Sequence, residues 1–128
     1  MKKQILCAAL AFVLVSVLPL PTNAQRPIAV SPFAVEAGQY VYLHIDGGHL
    51  YGRFRLSNPR HDIKVMVFDE DNFENWRNHH QYLLYYESGR VTVGTIDLNL
   101  RPGSYYIVFD NTYSIATNKI VYHSIVVQ

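Results

Sequence analysis

Cysteine is almost absent from this chain: there is one, Cys7, among 128 residues. It falls within the first twenty-four positions, so the remainder can form no internal disulfide and offers no thiol for catalysis or metal binding. Neither charge is in surplus. With Lys2 and Lys3 set aside, nine Lys and Arg stand against ten Asp and Glu, a balance of −1 with neutral histidines. That balance argues against a polyanionic partner, and no nucleic-acid binding is expected. Arg53-Phe54-Arg55 with Arg60 is the nearest approach to a basic patch, yet alternate arginines around a buried aromatic are what a half-exposed strand displays.

Catalytic signatures are missing as well. There is no Gly-x-Ser-x-Gly elbow, no phosphate-cradling glycine loop and no His-Glu-x-x-His helix, and no enzyme activity is expected. Internal repeats, low-complexity tracts and interdomain linkers are absent. The one long apolar run, Ile5 to Leu20, follows Lys2 and Lys3 and ends at Pro21-Thr22-Asn23-Ala24. It is short for a membrane span and has the layout of a secretory leader cut after Ala24. Cys7 lies too close to Lys3 to be the lipidated residue of a lipoprotein. The expectation is a leader over residues 1–24 and one exported domain over 25–128, periplasmic or secreted, cysteine-free and without a membrane anchor.

From Tyr40 onward apolar residues recur at every second position, and Gly, Pro, Asn or Asp clusters interrupt them at short intervals. This pattern predicts antiparallel strands. Val41, Leu43 and Ile45 alternate with Tyr40, Tyr42 and His44 up to Asp46-Gly47-Gly48, where the glycines suit a hairpin that returns as Leu50 to Leu56. Ser57-Asn58-Pro59-Arg60 turns the chain into His61 to Phe68. Asp71-Asn72-Phe73-Glu74 breaks the alternation and predicts a short helix through about Asn78, started by a reciprocal cap. Strands are expected again over Tyr82 to Tyr86, Val91 to Leu100, Tyr105 to Phe109 and Ile120 to Val127. Ser88-Gly89 reads as a break, and Arg101-Pro102-Gly103-Ser104 as a type II turn with Gly103 at positive φ. About eight strands at this spacing predict an all-β antiparallel sandwich, jelly-roll-like, with one short helix.

Pro102 to Ser114, reading Pro-Gly-Ser-Tyr-Tyr-Ile-Val-Phe-Asp-Asn-Thr-Tyr-Ser, then Lys119 and an alternating strand, resembles the end of a GOLD domain. Upstream, His61-Asp62-Ile63 resembles the entry to that family's central strand. The resemblance spans roughly Tyr40 to Val127. It implies a β-sandwich that serves as a protein-interaction module, as in cargo receptors of the secretory pathway and some lipid-transfer proteins. Asp62, Ile63, Gly103, Tyr105, Phe109, Asp110, Asn111, Tyr113, Ser114 and Lys119 carry the motif. The cysteine pair, coiled coil and lipid-binding domain of those proteins have no counterpart in this sequence.

Elementary chemistry accounts for much of the motif. Asp110 and Asn111 suit an Asx-type turn, and Tyr105, Ile107 and Phe109 share a face that reads as core. The reverse faces of the same strands are also apolar, however. Tyr106, Val108, Ile120, Tyr122 and Val126 form a candidate outer face for a partner, because a sandwich strand turned to water should alternate with polar residues. Tyrosine is favoured on β surfaces, and the short helix is another way to cover such residues. The loop Thr112 to Asn118 is a further candidate for recognition.

Six histidines, His44, His49, His61, His79, His80 and His123, lack the spacing of a zinc site, and no metal or cofactor is expected. His123 falls in the inward phase, as a hydrogen-bonded core histidine. Asp69-Glu70-Asp71-Asn72 offers oxygens to calcium but lacks EF-hand spacing, and helix capping accounts for it equally. Three readings stand: a protein-binding or self-associating module, a sugar or lipid binder using a Tyr-rich surface, and a small hydrolase.

Overall fold

The computed structural model describes residues 26–27 and 30–128. The expected leader and its cleavage position lie outside them. Ten strands and one helix follow in the order β1 (Arg26–Pro27), β2 (Phe33–Val35), β3 (Tyr40–Ile45), β4 (Gly48–Leu56), β5 (Ile63–Asp69), α1 (Glu70–Arg77), β6 (Tyr86–Val91), β7 (Val93–Leu100), β8 (Tyr105–Asp110), β9 (Lys119–His123) and β10 (Val126–Val127).

The alternation in the sequence produces an antiparallel β-sandwich. One sheet runs β1-β10-β4-β9-β2 with β7 on the other side of β4, and the second runs β3-β8-β5-β6. Inward residues from both sheets, among them Val35, Leu50, Phe54, Ile63, Val65, Ile107, Phe109 and Val121, close a single core between the layers. Every one of these buries its side chain almost completely, and each contributes about 1.5–3 kcal/mol of transfer free energy.

Which strands become neighbours differs from the sequence reading. The Asp46-Gly47-Gly48 segment is not a hairpin: β3 pairs with β8 and β4 pairs with β7, so the turn arches from one sheet to the other. Ser57 to Asp62 and Arg101 to Ser104 make the same crossing, since β5 and β8 lie in the four-stranded sheet while β4 and β7 lie in the six-stranded one. A glycine-rich turn permits either course. The choice is made by burial, because crossing lets consecutive inward faces oppose each other across the core. Gly47 and Gly48 do adopt positive φ, 91° and 108°. Gly103 does not; its amide donates to the Asp46 carbonyl at 3.2 Å and ties the two arches together.

Ser88-Gly89 does not separate two strands. It is a bulge inside β6, where the register with β5 shifts between Lys64 and Met66. The Ser88 hydroxyl accepts from the Val65 amide at 2.8 Å and donates to the Gly89 carbonyl at 2.6 Å, supplying partners that the interrupted ladder loses. Residues 81–84 form no strand; the Leu83 amide instead donates to the Asn72 side-chain carbonyl at 2.8 Å. In the six-stranded sheet, Ser124-Ile125 breaks the expected last strand into β9 and β10, both of which pair with β4.

Helix α1 starts two residues earlier than predicted. Asp69 is its N-cap and accepts from the Asn72 amide at 2.9 Å. Phe73 is buried on the underside of the helix and packs on Met66, Phe68 and Val108, making a small second core on the outer face of the four-stranded sheet. Among the described residues no helix is long and apolar enough to cross a membrane.

Candidate binding groove

Residues far apart in sequence meet at one end of the four-stranded sheet. The Tyr113 hydroxyl donates to the Asp62 carboxylate at 2.9 Å and lies 3.0 Å from the Asp62 carbonyl. Lys119, buried to 3% exposure, donates to that same carbonyl at 2.6 Å, and its ammonium lies 3.3 Å from the carboxylate. Arg90 reaches the other carboxylate oxygen at 3.1 Å and lays its guanidinium 4.0 Å from the centre of the Tyr113 ring. Burial opposes ionisation of Asp62, but the bonds from Tyr113, Arg90 and Lys119 outweigh it and hold the carboxyl below its usual range. Burial and the bond to Asp62 push the Tyr113 phenol well above the usual tyrosine value.

Asn111 closes the next layer. It is fully buried, and its side-chain amide donates toward the carbonyls of Val35, Glu36 and Thr117 at 3.2, 3.1 and 2.9 Å. Its side-chain carbonyl accepts from the Ser114 hydroxyl at 2.6 Å. Asp110 forms the anticipated Asx turn, accepting from the amide and hydroxyl of Thr112 at 2.9 and 2.6 Å. The motif residues thus fall into three adjoining sets, Asp62 with Tyr113 and Lys119, Asn111 with Ser114, and the Asp110 turn, of which the first ties the 111–118 loop to the start of β5 and the second ties it to β2. Ile63, Tyr105 and Phe109 are core.

A groove opens beside these polar residues. Cross-strand register places Tyr40 opposite Asp110, Asp110 opposite Lys64, and Lys64 opposite Arg90, a row across all four strands of the sheet. Partners in register project to the same face. Trp76, Arg77 and His79 at the end of α1 form one wall, and Thr112 and Tyr113 contribute to the other, enclosing about 540 Å³. Trp76 and Tyr40 meet edge to face, with centroids 4.9 Å apart and planes at 78°. Each of the cations has a carboxylate partner: Lys64 with Glu87 at 3.5 Å, Arg77 with Glu74 at 3.0 Å, and Arg90 with Asp62, which it shares with Lys119. Asp110, only 5% exposed, lines the groove with one oxygen engaged by Thr112 and the other accepting no hydrogen bond among the described residues.

The five residues expected to form a single outer face are divided. Tyr106 and Val108 lie beneath α1: Val108 is fully buried, and Tyr106 stacks on Phe73 with centroids 4.3 Å apart. The helix satisfies their need for cover. Ile120, Tyr122 and Val126 lie on the other sheet, where Ile120 is 37% exposed and the Arg55 guanidinium covers Tyr122 at 4.3 Å. Alternation shows that a residue points outward but not from which sheet.

His123 points inward against Phe33 and Phe109, with centroids 5.8 and 6.4 Å away. Its Nδ1 accepts from the Ile125 amide at 3.2 Å, whereas Nε2 is buried without a partner. Burial therefore lowers its pKa from the ordinary 6.5. Among the described residues no three His, Cys, Asp or Glu side chains gather where they could hold a metal ion. Asp69, first of the acidic run weighed for calcium, is occupied as the cap of α1.

Sequence reasoning missed Tyr40, Lys64, Trp76, Arg77 and Arg90 as groove residues. Trp76, the chain's one tryptophan, on a short helix was the available signal. The row on the sheet had none, because it arises from register between strands distant in the chain. Compared with protein-family models and with curated proteins, the chain finds no match.

Proposed function

We propose that this protein is an exported, non-enzymatic binding module built on a GOLD-like sandwich, which captures a small polar ligand in the groove between α1 and the 110–113 loop. One observation carries the reading: the nearly buried Asp110 carboxylate keeps an oxygen free in a groove walled by Trp76 and Tyr40. That oxygen is not sealed from solvent, so it is available to accept a charge-assisted hydrogen bond from a ligand donor. The volume of about 540 Å³ falls within the ordinary range of about 300–1,000 Å³ for small-molecule sites. The leader read at residues 1–24 supports a place outside the inner membrane.

Equilibrium dialysis of the purified protein against the small-molecule and glycan fractions of its own cell envelope, read by native mass spectrometry, tests this. A retained mass that is lost in Asp110→Asn is expected. An empty wild-type protein, or equal retention by the variant, overturns the reading.

A second reading, contact with another protein or self-association, is favoured by the outer face of the six-stranded sheet, where Val93 and Ile120 are 54% and 37% exposed. Analytical ultracentrifugation of wild type and a Val93→Ser, Ile120→Ser double variant separates it from the first. A monomer in both argues against self-association.

A further inference from the structure

We infer that the ligand of this groove is a neutral saccharide, a hexopyranose unit of a glycan; the inference rests on the groove being a binding site. Charge decides against an anion. Lys64 and Arg77 each lie against a carboxylate at 3.5 and 3.0 Å, Arg90 shares Asp62 with the buried Lys119, and Asp110 balances the fourth cation, so the groove carries no surplus of positive charge for a phosphate or uronate. An anionic ligand would also meet the Asp110 carboxylate at close range in a partly dry site, where like charges repel strongly.

A hydroxyl-rich ring meets every group present. The free Asp110 oxygen accepts from a ring hydroxyl, a charge-assisted bond stronger than its neutral counterpart. The Lys64 ammonium and Arg77 guanidinium have donors beyond those used on Glu87 and Glu74, and those donors suit hydroxyl oxygens. Tyr40 and Trp76 form an aromatic corner at 78° against which the apolar C–H face of a pyranose can rest. An aliphatic lipid chain fits poorly, since it would desolvate the Lys64 and Arg77 ion pairs and cover the Asp110 carboxylate without offering it a donor. The groove is open to solvent rather than closed over, so one unit of a longer chain can enter while its neighbours remain in water.

The single tryptophan supplies the readout, because Trp76 fluorescence reports on the groove alone. The purified protein is titrated with an array of neutral α- and β-linked hexose and N-acetylhexosamine oligomers, alongside oligogalacturonate and short-chain phosphatidylglycerol. Saturable quenching by a neutral oligomer is expected, weakened about tenfold in Asp110→Asn and retained in Tyr122→Ala. Asn at 110 keeps an acceptor for Thr112 while turning the free acceptor into a donor, so the variant keeps its turn. A circular-dichroism melt checks this, and Lys64→Ala, with the same weakening expected, serves if Asp110→Asn melts early. Quenching only by oligogalacturonate or by the phospholipid overturns the saccharide assignment. Silence across the array, while dialysis still shows a ligand lost in Asp110→Asn, overturns the saccharide and leaves the groove standing. Silence in both overturns the two together.

Discussion

Asp62 and Tyr113, fifty-one positions apart, share a hydrogen bond of 2.9 Å, and the phenol lies equally close to the Asp62 backbone carbonyl at 3.0 Å. The tyrosine thereby fixes both the carboxylate that receives Arg90 and Lys119 and the start of β5. One side chain holds the loop that forms a groove wall.

Breaking this arrangement at its acceptor has a calculable direction. Asp62→Ala leaves the Lys119 ammonium, 4% exposed, with only a carbonyl partner. Loss of a buried pair costs about 3–5 kcal/mol, and because Asp62 itself is one-third exposed the expected loss is about 2 kcal/mol. Lys119→Met, which removes the buried charge itself, should cost less than Asp62→Ala. Urea denaturation of the two variants checks the order; equal or reversed midpoints contradict it.

Acid should weaken the fold through the same carboxylate. The folded state holds the Asp62 carboxyl below its usual value of 3.8, so near that pH the unfolded chain binds more protons. The contribution is whole above 3.8 and is lost as pH falls through the folded-state value. His123 acts in the same direction at milder pH, since burial lowers its folded-state pKa and its contribution fades as pH drops below 6.5. Thermal midpoints of wild type, Asp62→Asn and His123→Gln between pH 7.5 and 3 test this. The His123 variant should lose slope between pH 7 and 5.5, and the Asp62 variant only at the acid end.

The second core under α1 should be as sensitive as the first. Phe73→Ala empties the space between the helix and the sheet and should cost about 3–5 kcal/mol. Val108→Glu places a charge at a position with no exposure and should prevent the helix from docking, rather than alter any contact with a partner. Leu83→Ser, 77% exposed beside the same helix, should stay within about 0.5 kcal/mol of wild type. Helical ellipticity and chemical melts distinguish the three.

Two glycines should respond unequally to alanine. At Gly52, φ is +147° and an added Cβ would stand 2.5 Å from the Ser124 carbonyl oxygen, where β9 breaks to become β10; Gly52→Ala should cost about 3 kcal/mol or more. Gly89 in the β6 bulge has φ +66° with open space around it, and Gly89→Ala should cost only about 1 kcal/mol. Comparable losses for the two would show that steric approach at Gly52 is not what constrains it.

Much of the fold was legible because the side-chain period of a strand is local. Val41, Leu43 and Ile45, then Ile107 and Phe109, declared their inward face by alternation alone, and the Asx turn at Asp110 followed from a side chain two residues from its donor. The short helix was legible to within two residues, because a cap acts over one turn. Strand partnership was not. Gly47 and Gly48 satisfy a hairpin and an inter-sheet arch alike, and Ser88-Gly89 suits a turn or a bulge.

What the sequence by itself determined is the alternation, the punctuation by turn residues, the capped helix, and the types of residue available near Tyr113. Only the tertiary structure decided that Tyr106 and Val108 lie under α1 while Ile120 and Tyr122 lie on the opposite sheet. It alone set Tyr40, Asp110, Lys64 and Arg90 in one row facing Trp76. The physical reason is that faces are set by the two-residue period of a single strand, whereas neighbours are set by which strands bury their apolar sides together, a property of the whole chain.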